Sequence, residues 1–282
     1  DSLGVDNMVV FPTPMLFLGM HPQTEMEVWL GRAYNRWMAD KILSAEDRIK
    51  TLIYLPFNTP KEAERAVEEF GDKKGVIGFC VTSTRYKPVH SNEYMRLYSM
   101  IEETGRPLAF HAGYHWQDPS LATVNRFLGM HALGFAWCNM VHMTNWILNG
   151  IPERFPKLKT MWVESGLAWV PFLMQRLDDQ YLMRPSEAPQ LKRMPSEYMN
   201  TNCFYTTQPM ETTHPKALEN TFEMIKAETQ LMFSSDWPHF DFDLPQEICD
   251  LPFLTEQAKR NILGLNAARL FNLDPTPVKN II

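Results

Sequence analysis

The sequence lacks the short motifs that identify several large enzyme classes. It contains no GxSxG, HExxH, Walker A or GxGxxG pattern, so serine hydrolase, zincin and NTPase assignments lose support. It also lacks a run of basic residues, and its net charge is −6. Because nucleic-acid binding needs cations along the phosphate backbone, this charge argues against a nucleic-acid partner. A small molecule or another copy of the chain is the expected partner.

Cysteine and long apolar runs are scarce. The four cysteines form no CxxC pair, so neither a zinc ribbon nor a thioredoxin motif is present. Cysteine usage predicts a reduced, cytoplasmic protein, with a disulfide such as Cys80–Cys138 left open. No apolar run reaches ~18 residues, so we expect no membrane contact through a spanning helix.

The chain does contain short apolar runs that alternate with helical patterns. Its 282 residues, 45% of them hydrophobic, suit one barrel domain over residues 1–282. The runs are apolar throughout, as in parallel strands that are buried on both faces, and they predict a parallel barrel or a doubly wound sheet. Seven strands are predicted: Met8–Thr13, Thr51–Phe57, Val76–Val81, Pro107–His111, Lys159–Glu164, Asn202–Thr207 and Thr229–Ser235. A Pro-rich segment near residues 183–198 is expected to be a long loop.

Three of these strands end in a metal ligand or a base. "PLAFH" ends in His111, "MWVE" in Glu164, and "MFSS" leads into Asp236. The carboxyl ends of barrel strands meet at one face, so we expect these side chains to converge on one divalent cation, Zn or Mn, with an ionisable water. Each residue taken alone has a structural alternative, as a core histidine, an ion-paired glutamate or a helix-capping aspartate.

Four further residues are predicted to contact the substrate. His115 and Trp116 follow His111 on one loop, and His239 follows Asp236 on another. Arg184 begins the Pro-rich segment, where its guanidinium is able to pair with a carboxylate. An ordinary surface cation is the alternative for Arg184, and a residue that only solvates Asp236 is the alternative for His239.

The motifs around these residues resemble those of the amidohydrolase-2 family, in its aminocarboxymuconate-semialdehyde decarboxylase-like branch. The resemblance rests on "PLAFHAG", "FPKLKTMWVESG" and "LMFSSDWPH", and it extends to the closing "NILGLNAARLF". It implies a metal-dependent (β/α)8 TIM barrel in which His111 and Asp236 bind the ion. Glu164 stands where the family usually has a histidine, and it is expected to act as the acid/base group or as a further ligand. Arg184 is expected to reach a neighbouring subunit's site, which implies a homodimer or a higher homo-oligomer.

The same family carries an HxH pair on its first strand, and no HxH occurs in this chain. We therefore expect the first of eight strands to lie in a preceding segment. The leading functional expectation is hydrolysis of a small carboxylate-bearing or aromatic substrate by a metal-activated water. The alternatives are nonoxidative decarboxylation of an aromatic or unsaturated acid and a barrel that binds a ligand without catalysis.

Overall fold

The computed structural model describes residues 3–82, 87–111, 113–116 and 118–276. Its centre is one parallel sheet of seven strands, and all seven predicted strands are confirmed, with bounds that differ by up to a few residues. The strands are β1 Met8–Val10, β2 Ile49–Tyr54, β3 Val76–Thr82, β4 Leu108–His111, β5 Thr160–Val163, β6 Cys203–Thr206 and β7 Leu231–Met232.

The strands pair in the order in which they occur along the chain, each parallel to the next. A crossover segment separates every pair, so the carboxyl ends of all seven strands lie at the same edge. Among the described residues, β1 and β7 are the outer strands of the sheet. β1 pairs only with β2, and β7 pairs only with β6. The sheet is thus an open, curved half-barrel, and the closed eight-stranded form remains a prediction.

Helices occupy the crossovers and the carboxyl-terminal region. They are α1 Thr24–Trp37, α2 Pro60–Phe70, α3 Met95–Thr104, α4 Phe127–Leu148, α5 Ile151–Arg154, α6 Trp169–Met183, α7 Pro195–Asn202, α8 Pro215–Met224, α9 Ala227–Gln230, α10 Pro245–Cys249, α11 Glu256–Arg260 and α12 Asn266–Phe271. Two π-helical turns, Met38–Ile42 and Asn261–Leu265, and four 3-10 turns, Thr13–Met15, Leu18–Met20, Asn92–Tyr94 and Pro185–Glu187, complete the set.

Both faces of the sheet are buried, which explains why its strands are apolar throughout. The larger hydrophobic core lies between the sheet and the helices and includes Phe79, Phe110 and Trp162. Phe110 and Trp162 stack with ring centroids 4.6 Å apart. A smaller core on the other face brings together alternate strand residues, among them Leu52 and Met161. With both faces packed, the strand ends are left as the place where polar groups gather.

The segment predicted as one long loop near residues 183–198 is more ordered than expected. It contains the 3-10 turn Pro185–Glu187, and α7 begins within it at Pro195. Proline at the first position of a helix is favoured because its missing N–H needs no partner there. Pro195 thus favours the start of α7 at this point.

All four cysteines are free thiols, and three of them, Cys80, Cys138 and Cys203, are buried. The disulfide alternative is therefore not realised. None of the helices within the described ranges has the length and apolar character of a segment that crosses a bilayer.

Candidate metal and active site

His111 and Glu164 meet at the carboxyl ends of β4 and β5. His111 is the last residue of β4 and is 3% exposed. Its Nε2 lies 3.0 Å from Oε2 of Glu164, which follows β5 directly. The ring of Phe11 packs against the imidazole with centroids 5.2 Å apart. The predicted convergence of these two strand ends is therefore present as a buried, directly contacting pair.

Asp236 and His239 form a second pair on the segment after β7. His239 Nδ1 lies 2.8 Å from Oδ1 of Asp236. Asp236 has φ of 57°, and Glu164 has φ of 52°. Non-glycine residues adopt this left-handed region at a cost of about 1–3 kcal/mol, and such residues cluster at functional sites. Of the four non-glycine residues with positive φ in the described part of the chain, Glu164 and Asp236 are the two carboxylates that the sequence places at strand ends.

The environment of Asp236 changes its ionisation. Burial, and then the charge of Glu164, raises the pKa of Asp236 to about 6, and His239 offsets part of this rise. Asp243, further along the same loop, also has a pKa raised to about 6 by burial and by Glu247 and the neighbouring aspartates. The site thus concentrates negative charge that solvent screens poorly. A bound cation would relieve this repulsion.

The donor set fits a divalent metal ion. Glu164, Asp236 and His239 each present one ligand atom, and the three atoms lie within 4.8 Å of one another. Two carboxylate oxygens and one imidazole nitrogen suit Zn or Mn. His111 Nε2, 3.0 Å from Glu164, borders the same space. His239, which the sequence suggested as a substrate contact, therefore lies among the potential metal donors.

Sequence reasoning missed three residues that hold the turn of residues 164–168, which we call the Glu164 turn. Thr206 Oγ1 accepts a hydrogen bond from the Glu164 N–H at 3.2 Å. The buried Asn139 donates to Ser165 Oγ at 3.0 Å. Glu211, in the loop after β6, accepts the N–H groups of residues 167 and 168. Glu211 follows a strand end, as do His111 and Asp236, and that position was the one available indication in the sequence.

Aromatic side chains of α4 and of the segments after β4 and β7 contact one another. Tyr114 packs edge-on against Phe127 of α4 and against Trp116, with centroids 5.8 Å and 5.6 Å apart. His131 of α4 lies between Phe127 and Phe240, and its Nε2 is 3.6 Å from Asp241. These contacts join the loop after β4 to the loop after β7. We call this set the aromatic rim.

Of the predicted substrate contacts, His115 and Trp116 lie on the segment between β4 and α4, whereas Arg184 lies elsewhere. Trp116 belongs to the aromatic rim, with its indole N–H donated to Val124 O at 2.9 Å. His115 lies beside Phe17, with ring centroids 6.1 Å apart. Arg184 lies elsewhere, at the end of α6, where its mostly exposed side chain is 3.5 Å from Glu187. This ion pair does not connect Arg184 to Glu164 or Asp236 of the same chain.

A family model described as "Amidohydrolase" matches residues 1–273 of the chain. The match covers every strand and all residues of the site described above.

Several proteins with similar sequences or structures are decarboxylases. Gamma-resorcylate decarboxylase from Rhizobium sp. (strain MTP-10005) is 23% identical over 284 residues, which is 97% of this chain and 85% of that protein. The crystal structure of 5-carboxyvanillate decarboxylase from Sphingomonas paucimobilis superposes with a TM-score of 0.82 at 25% identity, covering 97% of this chain and 81% of that one. A dihydroxybenzoic acid decarboxylase from Polaromonas sp. JS666, solved with bound manganese and the inhibitor 2-nitroresorcinol, gives a TM-score of 0.77 at 21% identity, covering 96% and 83% of the two chains.

Proposed function

We propose that this chain, which belongs to the amidohydrolase family, catalyses the metal-dependent, nonoxidative decarboxylation of an aromatic carboxylic acid. The chain is an enzyme of that family. The observation that carries the proposal is the partly buried donor set of Glu164, Asp236 and His239, in a chain that is similar over 97% of its length to aromatic-acid decarboxylases. The comparisons thus favour the decarboxylase alternative over hydrolysis, which was the leading expectation from sequence.

The reaction requires a proton at carbon as CO2 leaves. The C–C bond to the carboxylate breaks, its electron pair stays on the ring carbon, and that carbon takes up one proton. Glu164 is the proposed acid/base group, because it follows β5 directly at the edge where Asp236 and His239 also lie, and its Oε2 contacts His111 Nε2 at 3.0 Å.

The proposed ion is one divalent cation, Zn or Mn, held by Asp236 and His111 with His239 and Glu164 as further donors. A bound cation supplies a positive charge that orients the substrate and stabilises the anion formed as CO2 leaves. The manganese reported in the Polaromonas enzyme supports Mn as the first ion to test.

The aromatic rim supports an aromatic substrate. His115 and Trp116 are the proposed contacts, because edge-on and offset ring pairs favour an aromatic ligand over an aliphatic one of the same charge. Phe240, which is 79% exposed, lies on the loop that also carries Asp236 and His239. The rings would also exclude water from the carbon that takes up the proton.

We also propose that the enzyme is a homodimer that uses the outward face of α4. This helix has 22 residues and contains no Asp, Glu, Lys or Arg. Among its outward side chains, Leu128, Leu133 and Val141 are 80%, 45% and 40% exposed. A two-fold interface places a surface against its own copy, and an uncharged apolar face does so without repulsion between like charges. We further propose that Arg184 of one subunit contacts the substrate of the other. A cytoplasmic location is also proposed.

The test of the reaction is CO2 release by the purified chain loaded with Mn2+ or Zn2+. The substrates are gamma-resorcylate and 5-carboxyvanillate, and a matched panel of lactones and amides is assayed for hydrolysis. We expect metal-dependent CO2 release from at least one aromatic acid and none from the Asp236→Asn variant.

Two results would contradict the proposal. Hydrolysis of a lactone or amide without any CO2 release would favour the hydrolase. Less than about a tenth of an equivalent of metal per chain after dialysis against Zn2+ and Mn2+, with no turnover, would favour a barrel that only binds a ligand.

A further inference from the structure

Glu211 contacts the turn that carries Glu164, although it is distant in sequence. Its Oε2 accepts the Leu167 N–H at 3.0 Å and the Ala168 N–H at 3.3 Å, and its Oε1 lies 3.3 Å from the same Leu167 nitrogen. These N–H groups lie at the start of α6, where no side chain of the neighbouring sequence caps the helix. A carboxylate satisfies these open donors and interacts favourably with the positive end of the helix.

The carboxylate of Glu211 is seated tightly against this turn. A Cβ added at Gly166, whose φ is +74°, would lie 2.4 Å from Glu211 Oε1. That separation is far below any real contact, so only glycine allows the carboxylate to approach this closely. Glycine at this position therefore serves the contact with Glu211 as well as the positive φ.

The Glu164 turn needs such support because its conformation is strained. Glu164 has φ of 52°, which the chain keeps only where surrounding contacts impose it. Thr206 holds the Glu164 N–H and Asn139 holds Ser165, so the first half of the turn is fixed from two sides. The second half, which leads into α6, is held by Glu211 and by the Trp169 indole N–H, which is donated to Gly166 O at 3.0 Å.

From this geometry we infer that Glu211 is a positioning residue: by holding the second half of the Glu164 turn, it keeps the Glu164 carboxylate directed toward Asp236 and His239. This inference rests on the proposed function only in that Glu164 faces the metal ion. Groups that orient metal ligands in this way typically change metal affinity 10- to 100-fold when removed.

The test measures Mn2+ affinity by calorimetry on metal-free protein, well below the unfolding temperature. We expect Glu211→Ala to weaken Mn2+ binding about 10- to 100-fold. Glu211→Gln, which keeps an acceptor oxygen for one N–H, is expected to lose less than about threefold.

Asp178→Ala is the matched control. Asp178 accepts the Ser196 N–H at 2.9 Å and its hydroxyl hydrogen at 2.6 Å, so it caps α7 as Glu211 caps α6, but it has no recorded contact with the site. Its loss is expected to lower the unfolding temperature by a few degrees and to leave Mn2+ affinity unchanged. A structural role alone would make the Glu211 and Asp178 variants behave alike.

Glu164→Gln separates the two possible failures. If Glu164→Gln weakens Mn2+ binding and Glu211→Ala does not, the positioning role is wrong while the site stands. If neither variant changes Mn2+ affinity, Glu164 does not face the ion and the proposed site is wrong. Should Glu211→Ala fail to fold by circular dichroism, Glu211→Ser takes its place with the same two expectations.

Discussion

Replacing Asp236 with asparagine is expected to have opposite effects on folding stability and on metal binding. Asparagine has nearly the same shape as aspartate and tolerates the left-handed φ of 57° found here. Its side-chain oxygen also preserves the 2.8 Å contact with His239 Nδ1. The substitution therefore removes a charge beside Glu164 with little change in backbone conformation or packing.

The stability gain follows from the raised pKa of Asp236. The folded state raises this pKa from 3.8 to about 6, so it favours the protonated form. The protonated Asp236 contributes its full stabilisation of the folded state below the pKa that Asp236 has in the unfolded chain. This contribution is lost as pH rises through its folded-state pKa near 6. At pH 8 the ionised Asp236 therefore destabilises the folded, metal-free protein by the full amount. At about 1.4 kcal/mol per pKa unit, the upper limit of this loss in the free energy of unfolding is about 3 kcal/mol, or about 1–2 kcal/mol after solvent screening.

The assay is urea unfolding of the metal-free protein at pH 8 and at about pH 3, below the unfolded pKa, with Mn2+ titration of the folded protein at pH 8. We expect Asp236→Asn to be about 1–2 kcal/mol more stable than the wild type at pH 8 and equally stable at about pH 3. Its Mn2+ affinity should fall more than about 100-fold, because an anionic ligand is lost.

Asp250→Asn is the control, since Asp250 is an exposed carboxylate whose recorded partner is Gln246. Neither measurement should change in this variant. A destabilised Asp236→Asn protein with normal Mn2+ affinity would show that Asp236 is only a structural cap, and it would refute the reasoning.

Three further predictions concern the fold and the assembly. Glu27 is 1% exposed, and burial raises its pKa although Tyr54 and Asn58 donate hydrogen bonds to it. Folding stability is lost as pH rises through that pKa, so Glu27→Gln should be more stable than the wild type at pH 8 in urea unfolding and equal to it below about pH 4. A variant that is less stable than the wild type at pH 8 would contradict this. Gly105 ends α3 with φ of +68° and has open space around it, so Gly105→Ala should lose about 1 kcal/mol from backbone strain alone; unchanged stability by the same method would count against it. If the proposed dimer forms through α4, Leu128→Glu should convert it to a monomer in light scattering, because the substitution places a charge in the apolar interface of each subunit; a monomeric wild type would remove the basis for that interface.

The strands and the direction of the site were predictable because they depend on local patterns. Apolar runs such as "VIGFCV" identify buried parallel strands, and the strand order follows from crossovers that place each strand beside the last. Because all carboxyl ends then lie at one edge, His111, Glu164 and Asp236 could be grouped although 53 and 72 residues separate them along the chain. The sequence therefore determined the family, the sheet and the edge at which polar groups gather.

Only the tertiary structure decided how those groups contact one another. The left-handed backbone conformation at Glu164 and Asp236 is rare for non-glycine residues, and no local sequence pattern predicts it. Contacts between loops depend on these turns: His239 lies beside Asp236, and Glu211 reaches a helix start 44 residues back along the chain. Such distances are set by packing of the whole sheet against its helices, because a loop's side chains reach their partners only after the strands that carry the loops are in place.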